Sequence, residues 1–132
     1  MATVVLVGTL DTKGEEYEFL RERLRELGVD VILVDAGVLG EPKTSPDIPR
    51  EEVARAAGTS IEVLAGAGDR GAAVGTMSRG AGEIVRRLHE EGRLDAVLGL
   101  GGSGGTSLVT GAMRSLPVGV PKIMVSTMAS GD

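Results

Sequence analysis

Leu98-Gly99-Leu100-Gly101-Gly102-Ser103-Gly104-Gly105-Thr106-Ser107 decides how this chain folds. The apolar run Ala96-Val97-Leu98-Gly99-Leu100 leads into it, and a segment of helical character, Thr106 to Leu116, leads out. Strand, glycine-rich turn and helix in that order expose backbone N–H groups where an anion can approach without meeting a Cβ. The stretch therefore reads as a nucleotide or phosphate cradle. Tight turning alone explains one or two of its glycines.

Upstream, Thr3-Val4-Val5-Leu6-Val7-Gly8 is continuous and β-branched, the pattern of a parallel strand buried on both faces. Thr9 to Gly14 turns from it into a helix. There Thr12 and Glu15 have capping-box spacing, and Tyr17, Leu20, Leu24 and Leu27 form an apolar stripe that stops at Gly28. Val29 to Val34 reads as a second strand ending at Asp35. Residues 38–49 carry Pro42, Pro46 and Pro49 and read as loop, a lid or an oligomer contact. Arg50 to Ala57 is a short helix, with Ile61 to Leu64 as the tail of that helical excursion. Asp69 caps a long helix running to Glu91, striped by Ala73, Met77, Ala81, Ile84 and Leu88. Its Gly71, Gly75, Gly80 and Gly82 each cost about 1 kcal/mol against Ala, which predicts close packing against another backbone, either within the chain or across a subunit boundary. Asp95 to Leu100 is the third strand, and Lys122 to Thr127, beyond Pro117 and Pro121, the fourth.

Strands alternating with helices predict an α/β fold, a doubly wound (Rossmann/flavodoxin-like) parallel sheet of at least four strands in the order 2-1-3-4. The switch point then falls between the first and third strands, and ligands bind beyond the strand carboxyl ends there. Those ends carry the turns Thr9–Gly14 and Gly101–Thr106. The candidate binding residues are Thr9, Asp11, Thr12 and Lys13 from one turn, and Gly101, Gly102, Ser103, Gly104, Gly105 and Thr106 from the other. Asp35 is placed to accept a ribose hydroxyl, and Ser126 and Thr127 lie on the rim. Lys13 would neutralise phosphate charge, the alternative being a solvated lysine in a first helical turn. Asp11 would hold Mg²⁺ through water, the alternative being a bond to its own turn.

Other patterns exclude classes. Gly99 to Gly104 fits G-x-G-x-x-G, but Val118 to Ser126 lacks the acidic residue expected about 20 positions on, which disfavours a dinucleotide. Gly101 to Gly105 fits the G-x-S-x-G elbow, yet the single histidine, His89, precedes the serine. No G-x-x-x-x-G-K-[S/T] sequence occurs. With no cysteine there is neither a disulfide nor a thiolate metal site. Two aromatic residues, Tyr17 and Phe19, and a net charge of −5 argue against nucleic acid. No apolar run nears the roughly 20 residues of a membrane span, and Met1-Ala2-Thr3 leads straight into a strand, so a cytoplasmic location is expected. The 132 residues fit one domain, and Ser126 to Asp132 reads like the opening of a further strand-to-helix loop, as in the N-terminal subdomain of a longer protein.

Four separated motifs carry a family resemblance: Gly8-Thr9-Leu10-Asp11-Thr12-Lys13-Gly14-Glu15, Asp69-Arg70-Gly71, Gly101-Gly102-Ser103-Gly104-Gly105-Thr106, and Leu116 to Lys122 leading to Val125-Ser126-Thr127-Met128-Ala129-Ser130-Gly131-Asp132. Together they resemble the bacterial and plant family of tomato mosaic virus resistance protein-like ATP-binding domains. The resemblance implies ATP, with Mg²⁺, as ligand, a homodimer, and a second α/β subdomain in longer members. Two other functions compete: an enzyme acting on a small phosphorylated or carboxylated metabolite, and an oligomerisation module built on the glycine-bearing helix.

Overall fold

A computed structural model describes residues 2–126 in nine elements: β1 (Thr3–Gly8), α1 (Leu10–Glu26), β2 (Asp30–Asp35), α2 (Arg50–Ala56), α3 (Ile61–Ala67), α4 (Arg70–Glu90), β3 (Ala96–Gly101), α5 (Ser103–Met113) and β4 (Lys122–Ser126). The four strands form one parallel sheet in the order β2-β1-β3-β4, as the alternation of elements predicts. Helices flank the sheet on both sides, since successive side chains of each strand alternate faces, although Ile123 and Val125 of β4 remain exposed. Leu6, Val31 and Leu33 pack with Leu10 and Tyr17 of α1 on one face. Val5, Val7, Val34 and Val97 pack on the other with Val53, Met77, Val85 and Leu108 from α2, α4 and α5.

Both helices at the switch point start earlier than their polar residues suggest. The first opens at Leu10 rather than Thr12, with Thr9 as N-cap and a non-helical Lys13 (φ −121°, ψ 20°) kinking it. The expected capping box is absent. Thr12 instead pairs its hydroxyl with that of Thr9 at 2.7 Å. The kink leaves the Leu10 carbonyl to accept the Lys43 N–H at 3.0 Å, and Gly14 gives Lys43 room, since a Cβ there would lie 2.7 Å from the lysine's own. The second opens at Ser103 rather than Thr106. Gly101 permits that abrupt start: a Cβ on it would lie 2.8 Å from the Gly105 carbonyl carbon and 2.9 Å from the Thr106 nitrogen.

The middle of the chain follows its capping residues. Asp69 caps α4 by accepting the Ala72 N–H at 3.0 Å. Ile61 to Ala67 is a helix in its own right, because Ser60 caps it through the Val63 N–H at 3.2 Å. Within the chain, two of the four α4 glycines show the expected close approach. Gly80 abuts the Val53 carbonyl and Gly82 lies against Ser115, whereas Gly75 faces open space and Gly71 meets only its neighbour Asp69.

Candidate functional site

The parallel pairing of β1 with β3 stops at Val7↔Gly99, although both strands run on past it. The side chain that separates them is Tyr17. Its hydroxyl donates to the Val7 carbonyl at 2.5 Å and accepts the Leu100 N–H at 2.7 Å, standing where the next rung of the ladder would be. Gly8 allows this, because a Cβ at that position would overlap the tyrosine ring. Burial holds the phenol well above its usual range, so it stays protonated and able to donate.

Beyond this wedge lies a cavity of about 280 Å³. Thr9, Asp11, Thr12 and Lys13 line it from the start of α1, and Gly102 and Gly105 from the start of α5. The two sequence-distant turns therefore meet, as the strand order requires. A third helix also points its N-terminus here: Arg70 and Val74 of α4 line the same cavity, opposite Ala36, Val38 and Leu39 from the loop after β2. An isolated α-helix leaves its first four N–H groups without intrahelical partners and carries partial positive charge at that end. In α5 those groups belong to Gly102 through Gly105, since the Thr106 N–H already bonds the Gly102 carbonyl at 2.9 Å. The start of α5 has no acidic residue in its first turn and no side-chain cap, whereas the Asp69 carboxylate at the N-cap of α4 offsets part of that helix's charge.

Two cations reinforce it. Among the described residues, neither Lys13 nor Arg70 makes a side-chain hydrogen bond or ion pair. Arg70 occupies the first position of α4, where the helix dipole disfavours a positive charge. Apart from the motif Asp69-Arg70-Gly71, no sequence signal marks Arg70, and none marks Val38, Leu39 or Val74.

The acidic candidates have different surroundings. Asp11 accepts the N–H groups of Leu39 (2.8 Å) and Gly40 (3.1 Å) on one carboxylate oxygen, which fastens the loop after β2 to the start of α1. Its other oxygen is buried without a hydrogen-bond partner, and a Cβ on Gly37 would lie 2.8 Å from it. Asp35 does not reach the cavity. Only 1% exposed, it accepts the Gly37 N–H at 2.9 Å and the Leu10 N–H at 3.2 Å, bracing the β2 end against α1. Burial pushes its carboxyl above the usual range, and those two amides offset part of the rise. Thr106 is also turned inward, its hydroxyl donating to the Gly101 carbonyl at 3.3 Å. Gly101 is buried beneath α5. Thr127 and the side chains of Ser103 and Ser126 lie outside what is described.

His89 sits near the last turn of α4, roughly 28 Å along the helix from Arg70 at 1.5 Å per residue. Among the described residues, no group of three or more His, Cys, Asp or Glu side chains is gathered. Asp11 is the carboxylate on the cavity lining, the residue that a Mg²⁺ ion arriving with phosphates and keeping its waters would meet. Also among the described residues, no helix is long and apolar enough to cross a membrane.

Comparison with known proteins matches residues 2–132 to the family described as uncharacterised protein family (UPF0261) N-terminal domain. A UPF0261 protein of Clostridium tetani is 49% identical over 129 residues, covering 98% of this chain and 32% of the relative. One from Rhizobium meliloti is 43% identical over 133 residues, covering all of this chain and 32% of the relative. The tomato (Solanum lycopersicum) ToMV resistance protein Tm-1(GCR237) is 36% identical over 145 residues, 98% of this chain and 19% of the relative. The chain thus spans about a third of the length of these bacterial relatives.

Proposed function

The chain belongs to the UPF0261 family as its N-terminal domain, and we propose that this domain is a nucleotide-binding module that takes ATP. The phosphates sit against the first turn of α5, on the amides of Gly102 to Gly105. Thr9 and Thr12 offer hydroxyls from the facing helix start, and Lys13 and Arg70 supply counter-charge. Mg²⁺, where used, accompanies the phosphates and meets Asp11 through water. ATP is the nucleotide that the family resemblance of the four motifs implies.

One observation carries the reading: residues from the starts of three helices, with two cations that have no hydrogen-bond or ion-pair partner among the described residues, line one cavity at the β1/β3 switch point. In a chain with a net charge of −5, Lys13 and Arg70 set two positive charges on this lining against the one of Asp11. Such an arrangement favours an anion with several oxygens over a neutral ligand.

Gly105→Val tests it. Gly105 lines the cavity, and a Cβ there meets only the Leu100 carbonyl oxygen and Thr9 Oγ1, both at 3.9 Å. The variant should therefore fold with the parent's circular dichroism while its added methyls occupy the phosphate position. Isothermal titration should give ATP binding to the parent protein and none to Gly105→Val. Equal affinity in both proteins, or no ATP binding to the parent, overturns the assignment.

A further inference from the structure

Half of one sheet face is bare. On the α1 side, Leu10 and Tyr17 pack over Leu6 of β1 and over Val31 and Leu33 of β2, and Leu98 and Leu100 of β3 are only partly buried at the margin of that cluster. Beside them in register stand Ile123, paired with Leu98, and Val125, paired with Leu100, at 52% and 53% exposure. Phe19, itself 72% exposed, and Leu20 of α1 line a shallow depression with Leu100. The reverse side of β4 is closed, because Met124 packs against the cluster that holds Leu108 and Val109 of α5. Parallel sheets carry helices on both faces, and a contiguous exposed apolar patch marks a contact surface.

Handedness decides which kind of segment reaches that patch. In right-handed crossovers the face on which a helix lies follows from the direction in which the chain steps across the sheet. The step from β1 to β2 puts α1 on one face. The steps from β2 to β3 and from β3 to β4 run the other way and put α2, α4 and α5 on the opposite one. The outer edge of β2 is already taken by the loop: the Ile48 N–H donates to the Leu33 carbonyl and the Asp35 N–H to the Ile48 carbonyl, both at 3.0 Å, and the Asp47 carboxylate accepts the Leu33 N–H at 2.8 Å. Among the described residues β4 pairs with β3 alone, so a further strand joins there. The crossover leading to such a strand steps in the same direction as α5 and packs on the α5 face. It leaves Ile123 and Val125 bare. Only a helix running back toward β1 lies beside α1 and covers them.

The relatives contain chain that can supply it. The matched domain is the N-terminal one, and the matched region makes up 32% of the Clostridium tetani and Rhizobium meliloti proteins. We propose that the face formed by Phe19, Leu20, Leu98, Leu100, Ile123 and Val125 docks an amphipathic helix from the C-terminal part of the family's longer chains, laid beside α1 over β3 and β4. Its apolar stripe meets Ile123 and Val125. Glu15 and Glu16, which line the same depression as Phe19, favour Lys or Arg at its margin. This docking surface does not depend on what the cavity at the β1/β3 switch point binds.

Ile123→Lys combined with Val125→Lys tests it, made in this chain and at the aligned positions of the full-length Clostridium tetani relative. On a bare face the lysines stay solvated, so the thermal midpoint of this chain should shift by less than about 3 °C. In the relative they would be buried against the docked helix, and its midpoint should fall by about 5 °C or more. Carbene footprinting of the two unsubstituted proteins, with a photolysed diazirine and mass spectrometry, decides the matter even if a variant does not fold. Relative to the exposed end of α1 at Leu27, the β4 peptide should be labelled at least fivefold less in the relative than in this chain. Equal labelling of β4 in both proteins overturns the proposal. So does light scattering that finds this chain dimeric and its lysine variant monomeric, since the face then belongs to a second copy.

Discussion

The Tyr17 hydroxyl stands between β1 and β3, accepting the Leu100 N–H at 2.7 Å and donating to the Val7 carbonyl at 2.5 Å. A helix side chain thus takes the place of one rung of the sheet, and the strands part above it. Tyr17→Phe keeps the ring volume and removes the bridge, leaving a buried N–H and a buried C=O unpaired. Each such orphan costs about 1–3 kcal/mol. The variant should lose at least about 2 kcal/mol in a urea titration, with an unchanged slope. A loss below about 0.5 kcal/mol would mean that water or a strand shift replaces the hydroxyl.

The glycines of α4 allow a prediction of opposite signs within one helix. A Cβ on Gly80 collides with the Val53 backbone carbonyl, which a packed α2 cannot withdraw, so Gly80→Ala should destabilise the fold. Gly75 is exposed, has ordinary helical geometry and faces open space, so Gly75→Ala should stabilise it by about 1 kcal/mol through helix propensity. Thermal unfolding of the two variants decides the matter. A destabilising Gly75→Ala would show that this face contacts something besides its own chain.

The contrast between those glycines also marks how far the residues could be read. Strand order followed from β-branched runs alternating with amphipathic stretches, because a parallel sheet has few right-handed ways to connect them. The meeting of Thr9–Gly14 with Gly101–Thr106 followed from that order. Hidden from the sequence was whatever depended on where a side chain turns. Asp35 braces the loop behind the cavity rather than facing it, since its position at a strand end says nothing about which amides lie near. Arg70 reaches the cavity only because α4 starts beside it, more than 30 residues upstream in sequence of the Gly102 and Gly105 that line the opposite wall. Both helices start within two residues of their strands, which moves Gly104 and Gly105 from the expected turn into the first turn of α5.

Asp35 gives the fold a pH dependence whose sign can be worked out. Its carboxyl is raised in the folded state by burial, so between the unfolded value near 3.9 and the higher folded value the native state binds more protons than the unfolded chain. Its contribution to stability is therefore present below the unfolded value and is lost as pH rises through the folded one. Asp35→Asn keeps an acceptor oxygen for the Leu10 and Gly37 amides and removes the titration. Relative to the parent, the variant should gain stability as pH rises above the unfolded value and level off above the folded one. Urea midpoints for both proteins between pH 3.5 and 7.5 test this, and a variant that loses ground as pH rises contradicts it.

Asp11 links the cavity to the loop that forms its far wall. One of its oxygens holds the amides of Leu39 and Gly40, and Arg50 donates to the Gly40 carbonyl from the other side. Hydrogen bonds to a charged group contribute about 1.5–3 kcal/mol each. Asp11→Ala should therefore speed hydrogen exchange at Leu39 and Gly40 tenfold or more, with little change at β-sheet amides such as Leu33. The same substitution tests the metal: if Mg²⁺ reaches the phosphates by way of Asp11, it should strengthen ATP binding in the parent and have little effect in the variant. Removing this carboxylate also lifts its repulsion of phosphate, so ATP without Mg²⁺ should bind the variant at least as well as the parent. Equal Mg²⁺ enhancement in both proteins would leave Asp11 a fastening for the loop and nothing more.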